Sequence, residues 1–78
     1  MSKSPVYQIR IQGHVDETWI NWFFPLVVVN HANGESTLTG PVRDQSELAG
    51  LLGRIFDLNL TLLSVNRMTN IVEQASQD

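Results

Sequence analysis

Three side chains able to do acid–base or metal chemistry lie within four residues of each other: His14, Asp16 and Glu17. An imidazole next to carboxylates can bind a divalent metal ion or share a proton. A zinc site, however, needs three or four ligands on rigid elements, and helix capping alone explains Asp16. The other histidine, His31, is expected near a hairpin tip, far from His14. These residues therefore predict no metal site.

Two tryptophans and two glycines are the other candidates for a binding site. Trp19 and Trp22 could stack a planar ligand or a sugar, although in so small a domain aromatic side chains more often anchor a core or an interface. Gly50 and Gly53 fall inside a helical pattern, where each costs about 0.8–1 kcal/mol relative to alanine. Either the helix packs closely there, or another subunit or a ligand approaches its backbone.

The composition limits the classes of function. The chain has 78 residues, enough for one globular domain, and its net charge of −3 with five scattered basic residues argues against nucleic acid. Cysteine is absent, so the sequence offers neither a disulfide nor a thiolate ligand. No apolar run is long enough for a membrane span or a signal peptide, which predicts a cytoplasmic protein without a membrane partner. We expect no cofactor.

The first part of the chain predicts a strand and a short helix. Apolar and polar residues alternate over Val6–Gln12, as in a half-buried strand. Asp16 is a good N-cap for a helix of two turns over residues 17–24, which Pro25 ends. Four residues at helical spacing predict a buried aromatic side: Trp19, Ile20, Phe23 and Phe24.

The middle of the chain predicts a hairpin. Residues 26–31 contain three consecutive β-branched valines, and Asn33-Gly34 follows, the strongest short signal for a two-residue type I′ turn. Such a turn places Val29 opposite Leu38. Val27, Val29 and Leu38 then share one face of the sheet, and Val28, Asn30, Thr37 and Thr39 share the other.

The last part predicts a long helix and a final strand. Asp44 is an N-cap with Glu47 three positions on, close to a capping box, and Asn59 suits the left-handed position that closes a helix. The strand is expected over residues 60–67. The side chains that face away from the helices are either Leu62, Ser64 and Asn66 or Thr61, Leu63, Val65 and Arg67, and the sequence does not decide between these two sets. The apolar stripe of the helix comprises Leu48, Leu51, Leu52, Ile55 and Phe56.

The element order predicts an α+β fold of the ferredoxin-like βαββαβ kind. It has a four-stranded antiparallel sheet, in spatial order 4-1-3-2, with one short and one long helix on one face. A rival topology treats residues 16–24 as an irregular loop. We expect one domain over residues 1–67 and a polar C-terminal tail over residues 68–78.

Several segments together resemble a family of small, mostly uncharacterised bacterial proteins. The resemblance covers residues 7–67 and rests on QGHVD at 12–16, Trp19, WF at 22–23, LTGPV at 38–42, DQ at 44–45, Leu48, GLL at 50–52, DL at 57–58 and LLSVNR at 62–67. It implies common descent but no activity, cofactor or catalytic residue.

The sequence favours a non-catalytic function. No nucleophile–base pair, carboxylate pair or cofactor motif can be assembled. A small domain without disulfides often gains buried area by oligomerisation, so we expect a homo-oligomer that binds a small ligand or a partner protein in a regulatory or scaffolding role. The alternative is a small dimeric enzyme, an isomerase or ring-modifying type, with His14 as base and Arg10 or Arg67 holding an anionic substrate. The predicted ligand or interface residues are Arg10, Gln12, His14, Trp19, Trp22, Gly50, Gly53, Asn66 and Arg67.

Overall fold

The computed structural model describes residues 4–68, which form four strands and two helical segments. The elements are β1 (Val6–Gln12), α1 (Glu17–Ile20), a 3-10 turn (Asn21–Phe23), β2 (Val27–Asn30), β3 (Glu35–Pro41), α2 (Gln45–Asp57) and β4 (Thr61–Met68). The α+β class, with one four-stranded antiparallel sheet and two helical segments, is confirmed. Apart from Met68, the predicted tail lies outside the described residues.

The strand order across the sheet is β2-β3-β1-β4, which is 4-1-3-2 counted from the other edge. β1 pairs antiparallel with both β3 and β4, and β2 pairs antiparallel with β3. β2 therefore runs in the same direction as β1, so residues 13–26 must cross from one end of the sheet to the other. That crossover carries α1 and the 3-10 turn over the same face as α2, where the core lies.

The first helical segment is shorter and less buried than predicted. The Asp16 side chain caps it as expected, accepting a hydrogen bond from the Thr18 amide at 2.8 Å. One α-helical turn then tightens into the 3-10 turn. Of its aromatic residues only Phe23 is buried, and the prediction that Phe24 joins the core is wrong, since Phe24 is 79% exposed.

The hairpin forms, but the predicted two-residue turn and its register are wrong. Within the turn only Gly34 has a positive φ, +90°, whereas a type I′ turn needs a positive φ at Asn33 as well. The Asn33 side chain instead accepts a hydrogen bond from the Glu35 amide, and His31 pairs with Glu35 across a three-residue loop. This single extra residue places Val28 opposite Leu38. It thereby exchanges the two faces of β2, because side chains alternate along a strand.

β4 follows neither of the two alternations that the sequence left open. Arg10 faces Ser64 but Ile11 faces Leu62, so Leu63 is an extra residue in a β-bulge. The bulge shifts the phase of the strand. As a result Leu62 and Val65, which have opposite parity in the sequence, both pack against the core.

α2 begins and ends as its sequence predicts. The Asp44 carboxylate accepts from the Glu47 amide at 2.9 Å, and Asn59 adopts a φ of +64°. The Leu60 amide bonds to the Ile55 carbonyl, which together with the Asn59 amide forms a Schellman motif. Within the predicted apolar stripe Leu51 and Ile55 are buried and Leu48 and Leu52 partly so. The stripe's prediction fails at Phe56, which is 56% exposed and is not packed against the core.

Candidate functional site

The predicted site residues do not form one site; the structure distributes them over two surfaces and the hairpin end of the sheet. We call the sheet surface opposite the helices the open face. Its register-paired members are Val6, Gln8, Arg10, Gln12, Val27, Val29, Glu35, Thr37, Thr39, Pro41, Thr61, Ser64, Asn66 and Met68. Val28 and Asn30, expected there, lie on the core side, and Val27 and Val29 take their place. Arg10, Gln12 and Asn66 are the predicted site residues on this face.

The open face carries exposed apolar side chains among uncharged polar ones. Val27 is 62% exposed and Val29 45%, although both are β-branched residues within the paired strand β2. The Arg10 guanidinium lies 3.3 Å from the Glu35 carboxylate on the same face, so the two charges offset one another. A surface ion pair of this kind adds only about 0–1 kcal/mol to stability. Its main effect here is a face without net charge.

The two histidines meet at the hairpin end of the sheet, contrary to the prediction that they lie far apart. The β1–β3 ladder continues beyond Gln12, with the Gly13 amide bonded to the Gly34 carbonyl. This brings the hairpin loop beside the end of β1, and His14 Nε2 lies 2.6 Å from the His31 carbonyl oxygen. Because a carbonyl only accepts, Nε2 carries the proton in this contact and is not free to act as a base.

A polar cluster that the sequence did not predict holds the same end of the sheet. The Asn30 side-chain amide accepts from the Val15 amide at 3.0 Å and donates to the Val15 carbonyl at 3.1 Å. The fully buried Ser36 hydroxyl lies 2.5 Å from the Gly13 carbonyl and 2.7 Å from Asn30 Oδ1. Its single proton serves one acceptor at a time. The cluster fixes the segment that leads from β1 to α1.

The register separates His14 from Arg67, one of the two arginines that the enzyme alternative offers for holding an anionic substrate. Arg67 pairs with Tyr7 near the start of β1, whereas His14 follows the end of that strand. At about 3.3 Å per residue, Tyr7 and Gln12 alone are about 17 Å apart. Arg67 and His14 therefore cannot hold the same small substrate, and Arg10, the other candidate, is already paired with Glu35.

The helical side contains a groove of about 230 Å³ between α2 and the segment that enters β2. We call it the α2 groove; residues 24–26 form one side, and Glu47, Gly50, Leu51 and Arg54 form the other. A Cβ atom added at Gly50 or Gly53 would meet nothing within 4 Å. Close packing therefore does not explain either glycine. Gly50 lines the groove, whereas Gly53 lies outside it.

Arg54, which lines the α2 groove, also contacts an exposed pair of tryptophans. Arg54 Nη1 donates to the Trp22 carbonyl at 2.9 Å, and the guanidinium lies 5.7 Å from the Trp22 ring centroid. The Trp19 and Trp22 rings are 5.2 Å apart, and both are more than a third exposed. The sequence analysis did not name Arg54 as a site residue, and it placed Phe24 on the buried side of the first helix. The end of that helix at Pro25 was the available signal that Phe24 could face solvent instead.

Of the two charged side chains that line the groove, Glu47 has an oppositely charged partner within the described part of the chain and Arg54 does not. Glu47 is held by Arg43, whose backbone amide donates to its carboxylate at 2.6 Å and whose Nε lies 3.6 Å away. Arg54, by contrast, has no carboxylate within 4 Å among residues 4–68. The groove therefore presents one uncompensated positive charge.

The acidic and histidine side chains of the described chain form no metal centre. Within residues 4–68 no three His, Cys, Asp or Glu side chains are grouped so as to hold a metal ion. The hydrogen bond from the Thr18 backbone amide lowers the pKa of Asp16 below its ordinary 3.8, which is the effect of a capping carboxylate. No helix in the described part is long and apolar enough to span a bilayer.

Comparison with protein families gives one match. A family model described as a domain of unknown function (DUF8691) matches residues 6–66, from the first residue of β1 almost to the end of β4. Curated proteins and solved structures give no significant match. The match takes in all four strands, apart from the last two residues of β4, and both helical segments, and the chain therefore belongs to the DUF8691 family.

Proposed function

We propose that this chain is a non-catalytic, self-associating domain whose open face binds a second copy. The helical side then stays free to bind a small ligand or a partner protein in a regulatory or scaffolding role. The observation that carries the proposal is the exposure of Val27 and Val29 on a sheet face that no element within residues 4–68 covers. Mixed apolar and hydrogen-bonding surfaces of this kind are typical of interfaces with a polar rim.

Charge supports a second copy as the partner of the open face. The whole chain has a net charge of −3, which opposes association of two copies. On the open face, however, Arg10 is offset by Glu35, and its other members are uncharged. Two open faces can therefore approach each other without net repulsion.

The order of the elements supports the same surface. We infer that the fold is a ferredoxin-like βαββαβ unit whose first helix is reduced to one α-helical turn and one 3-10 turn. A unit of this kind places its helices on one face of the sheet. The other face is then the largest regular surface left for a partner.

The dimensions of the open face indicate a weak dimer. Three strands of about 23 Å and the shorter β2 of about 13 Å, at about 4.8 Å spacing, give roughly 390 Å² of planar surface per copy. A standard interface buries about 800 Å² per partner. We therefore expect association in the micromolar range or weaker, with monomers and dimers in exchange.

Sedimentation velocity between about 5 and 500 µM tests the proposal, since weak interfaces of this size dissociate at lower concentrations. We expect the sedimentation coefficient of the full chain to rise with concentration. Val29→Lys should abolish the rise, because it places an unpaired charge in the apolar part of the dimer contact and on an edge strand. A strictly monomeric full chain over this range would overturn the proposal.

Phe56→Lys is the matched control. It also replaces an exposed apolar side chain by lysine, but it lies on α2 rather than on the open face. It should leave the concentration dependence unchanged. Circular dichroism of both variants verifies that each is folded. Loss of association in Phe56→Lys but not in Val29→Lys would place the dimer contact on the helical side and refute the assignment.

A further inference from the structure

We propose that the α2 groove binds an acidic–apolar peptide segment of a partner protein, with an apolar side chain in the groove and a neighbouring carboxylate on Arg54. This inference deepens the proposed function by naming the chemistry of the partner on the helical side. It depends on that function only in taking the domain to be a binding module. The groove lies on the opposite side from the open face, so the two sites can be tested separately.

The apolar half of the inference rests on the shape and lining of the groove. Phe24, Pro25 and Leu26 form one side, and the backbone at Gly50 is open to an approaching group because no atom lies where a side chain would begin. Phe24 is 79% exposed, so a large apolar surface faces water at the rim. An apolar side chain placed there removes that surface from water, which favours binding.

The acidic half rests on Arg54. Its guanidinium carries five N–H donors, of which one is bonded to the Trp22 carbonyl. No carboxylate within residues 4–68 pairs with it, and the nearby Glu47 is held by Arg43. A carboxylate from a partner would complete the pairing with charge-assisted hydrogen bonds, the geometry that a guanidinium favours.

The size of the groove favours a peptide over an enclosed small molecule. At about 230 Å³ it is smaller than the about 300–1,000 Å³ typical of pockets that surround a small ligand. Beside it, Arg54 contacts the exposed Trp22, whose ring lies 5.2 Å from that of Trp19 in a tilted arrangement. A peptide segment can place one side chain in the groove while a neighbouring part of the segment contacts the exposed tryptophan rings.

Amide and indole NMR shifts during peptide titrations test the inference. The probes are acetyl-Glu-Phe-Asp-amide, its neutral isostere acetyl-Gln-Phe-Asn-amide, acetyl-Glu-Ala-Asp-amide and free phenylacetate. We expect the first to produce saturable shifts at Gly50, Arg54 and the Trp22 indole, with none at Ser64 on the open face. The neutral and alanine peptides should bind about tenfold more weakly, since each lacks one half of the recognition.

Two glycine variants supply the matched control. Gly50→Leu fills the groove and should weaken binding of acetyl-Glu-Phe-Asp-amide at least about tenfold, as expected when an apolar anchor site is blocked. Gly53→Leu makes the same change in the same helix but outside the groove, and it should bind as the unmodified chain does. Arg54→Gln should reduce the preference for the acidic over the neutral peptide, a ratio that a general loss of structure does not mimic.

The outcomes separate this inference from the proposed dimer. Val29→Lys should bind the acidic peptide normally while losing self-association, and Gly50→Leu should do the reverse. No saturable shift with any peptide, or equal weakening by Gly50→Leu and Gly53→Leu, would overturn the inference. Phenylacetate binding as tightly as the acidic peptide would also overturn it and would identify the groove as a small-molecule site.

Discussion

Replacing each α2 glycine by alanine should stabilise the protein. Gly50 and Gly53 lie in the interior of the helix, where glycine is less favourable than alanine by about 0.8–1.0 kcal/mol. A new Cβ at either position meets no atom within 4 Å, so no steric term opposes the gain. We therefore expect Gly50→Ala and Gly53→Ala each to raise the free energy of unfolding by close to 1 kcal/mol.

The same substitution at Gly40 should have the opposite sign. A Cβ there would lie 2.9 Å from the Leu26 Cα and 3.2 Å from the Pro25 carbonyl oxygen. Because both are backbone atoms, the entry to β2 must move to relieve the contact. Overpacking of this kind typically costs about 1–3 kcal/mol.

Thermal and urea unfolding followed by circular dichroism measure all three glycine variants. A gain of 1 kcal/mol corresponds to a rise in Tm of about 4–8 °C for a domain of this size. The reasoning is refuted if Gly50→Ala and Gly53→Ala both lower the Tm. Such a result would mean that other atoms occupy the space beside α2 where each new Cβ would lie. A stable Gly40→Ala variant would equally contradict the close approach of β2 and β3 at that point.

Three further predictions concern the core, the hairpin end and pH. Phe23→Ala should lower the free energy of unfolding by about 3–5 kcal/mol in urea titrations, because Phe23 is fully buried. The adjacent Phe24→Ala should change it by less than about 0.5 kcal/mol, because Phe24 is exposed. Equal effects of the two substitutions would contradict the orientation of the 3-10 turn. Asn30→Ala should cost about 1–3 kcal/mol and speed hydrogen exchange at the buried Val15 amide, which loses its acceptor; unchanged exchange would exclude that bond. Because the pKa of Asp16 is lowered on folding, its stabilisation is present above the unfolded value and is lost as pH falls through the folded value. The difference in unfolding free energy between the full chain and Asp16→Ala should therefore be greatest near neutral pH and shrink as pH falls below 3.8, and a difference independent of pH would contradict this.

The groove and the hairpin-end cluster show where sequence reasoning is weakest. The sequence shows that Gly50 is an unfavourable residue inside a helical pattern, but the pattern does not show which elements lie beside it. Arg54 becomes important only because the crossover brings the Trp22 carbonyl to its guanidinium, 32 residues away in the chain. Asn30 looks like an exposed strand residue until the register is known, after which its amide faces Val15.

The sequence by itself determined the features that depend on near neighbours in the chain. The alternation in β1, the caps at Asp16 and Asp44 and the left-handed Asn59 all follow from residues within about one turn or one strand pair of each other. These signals were enough to predict the α+β class and the approximate bounds of most elements.

Tertiary structure alone decided which faces and ends meet. One extra residue in the hairpin loop exchanged the sides of Val27 and Val28, and one bulge at Leu63 did the same within β4. The crossover made β2 parallel to β1 with β3 between them, and the β1–β3 pairing brought the backbone of His31 to the ring of His14. Since side chains alternate with a period of two, a shift of one residue reverses every assignment beyond it, and only long-range pairing fixes that shift.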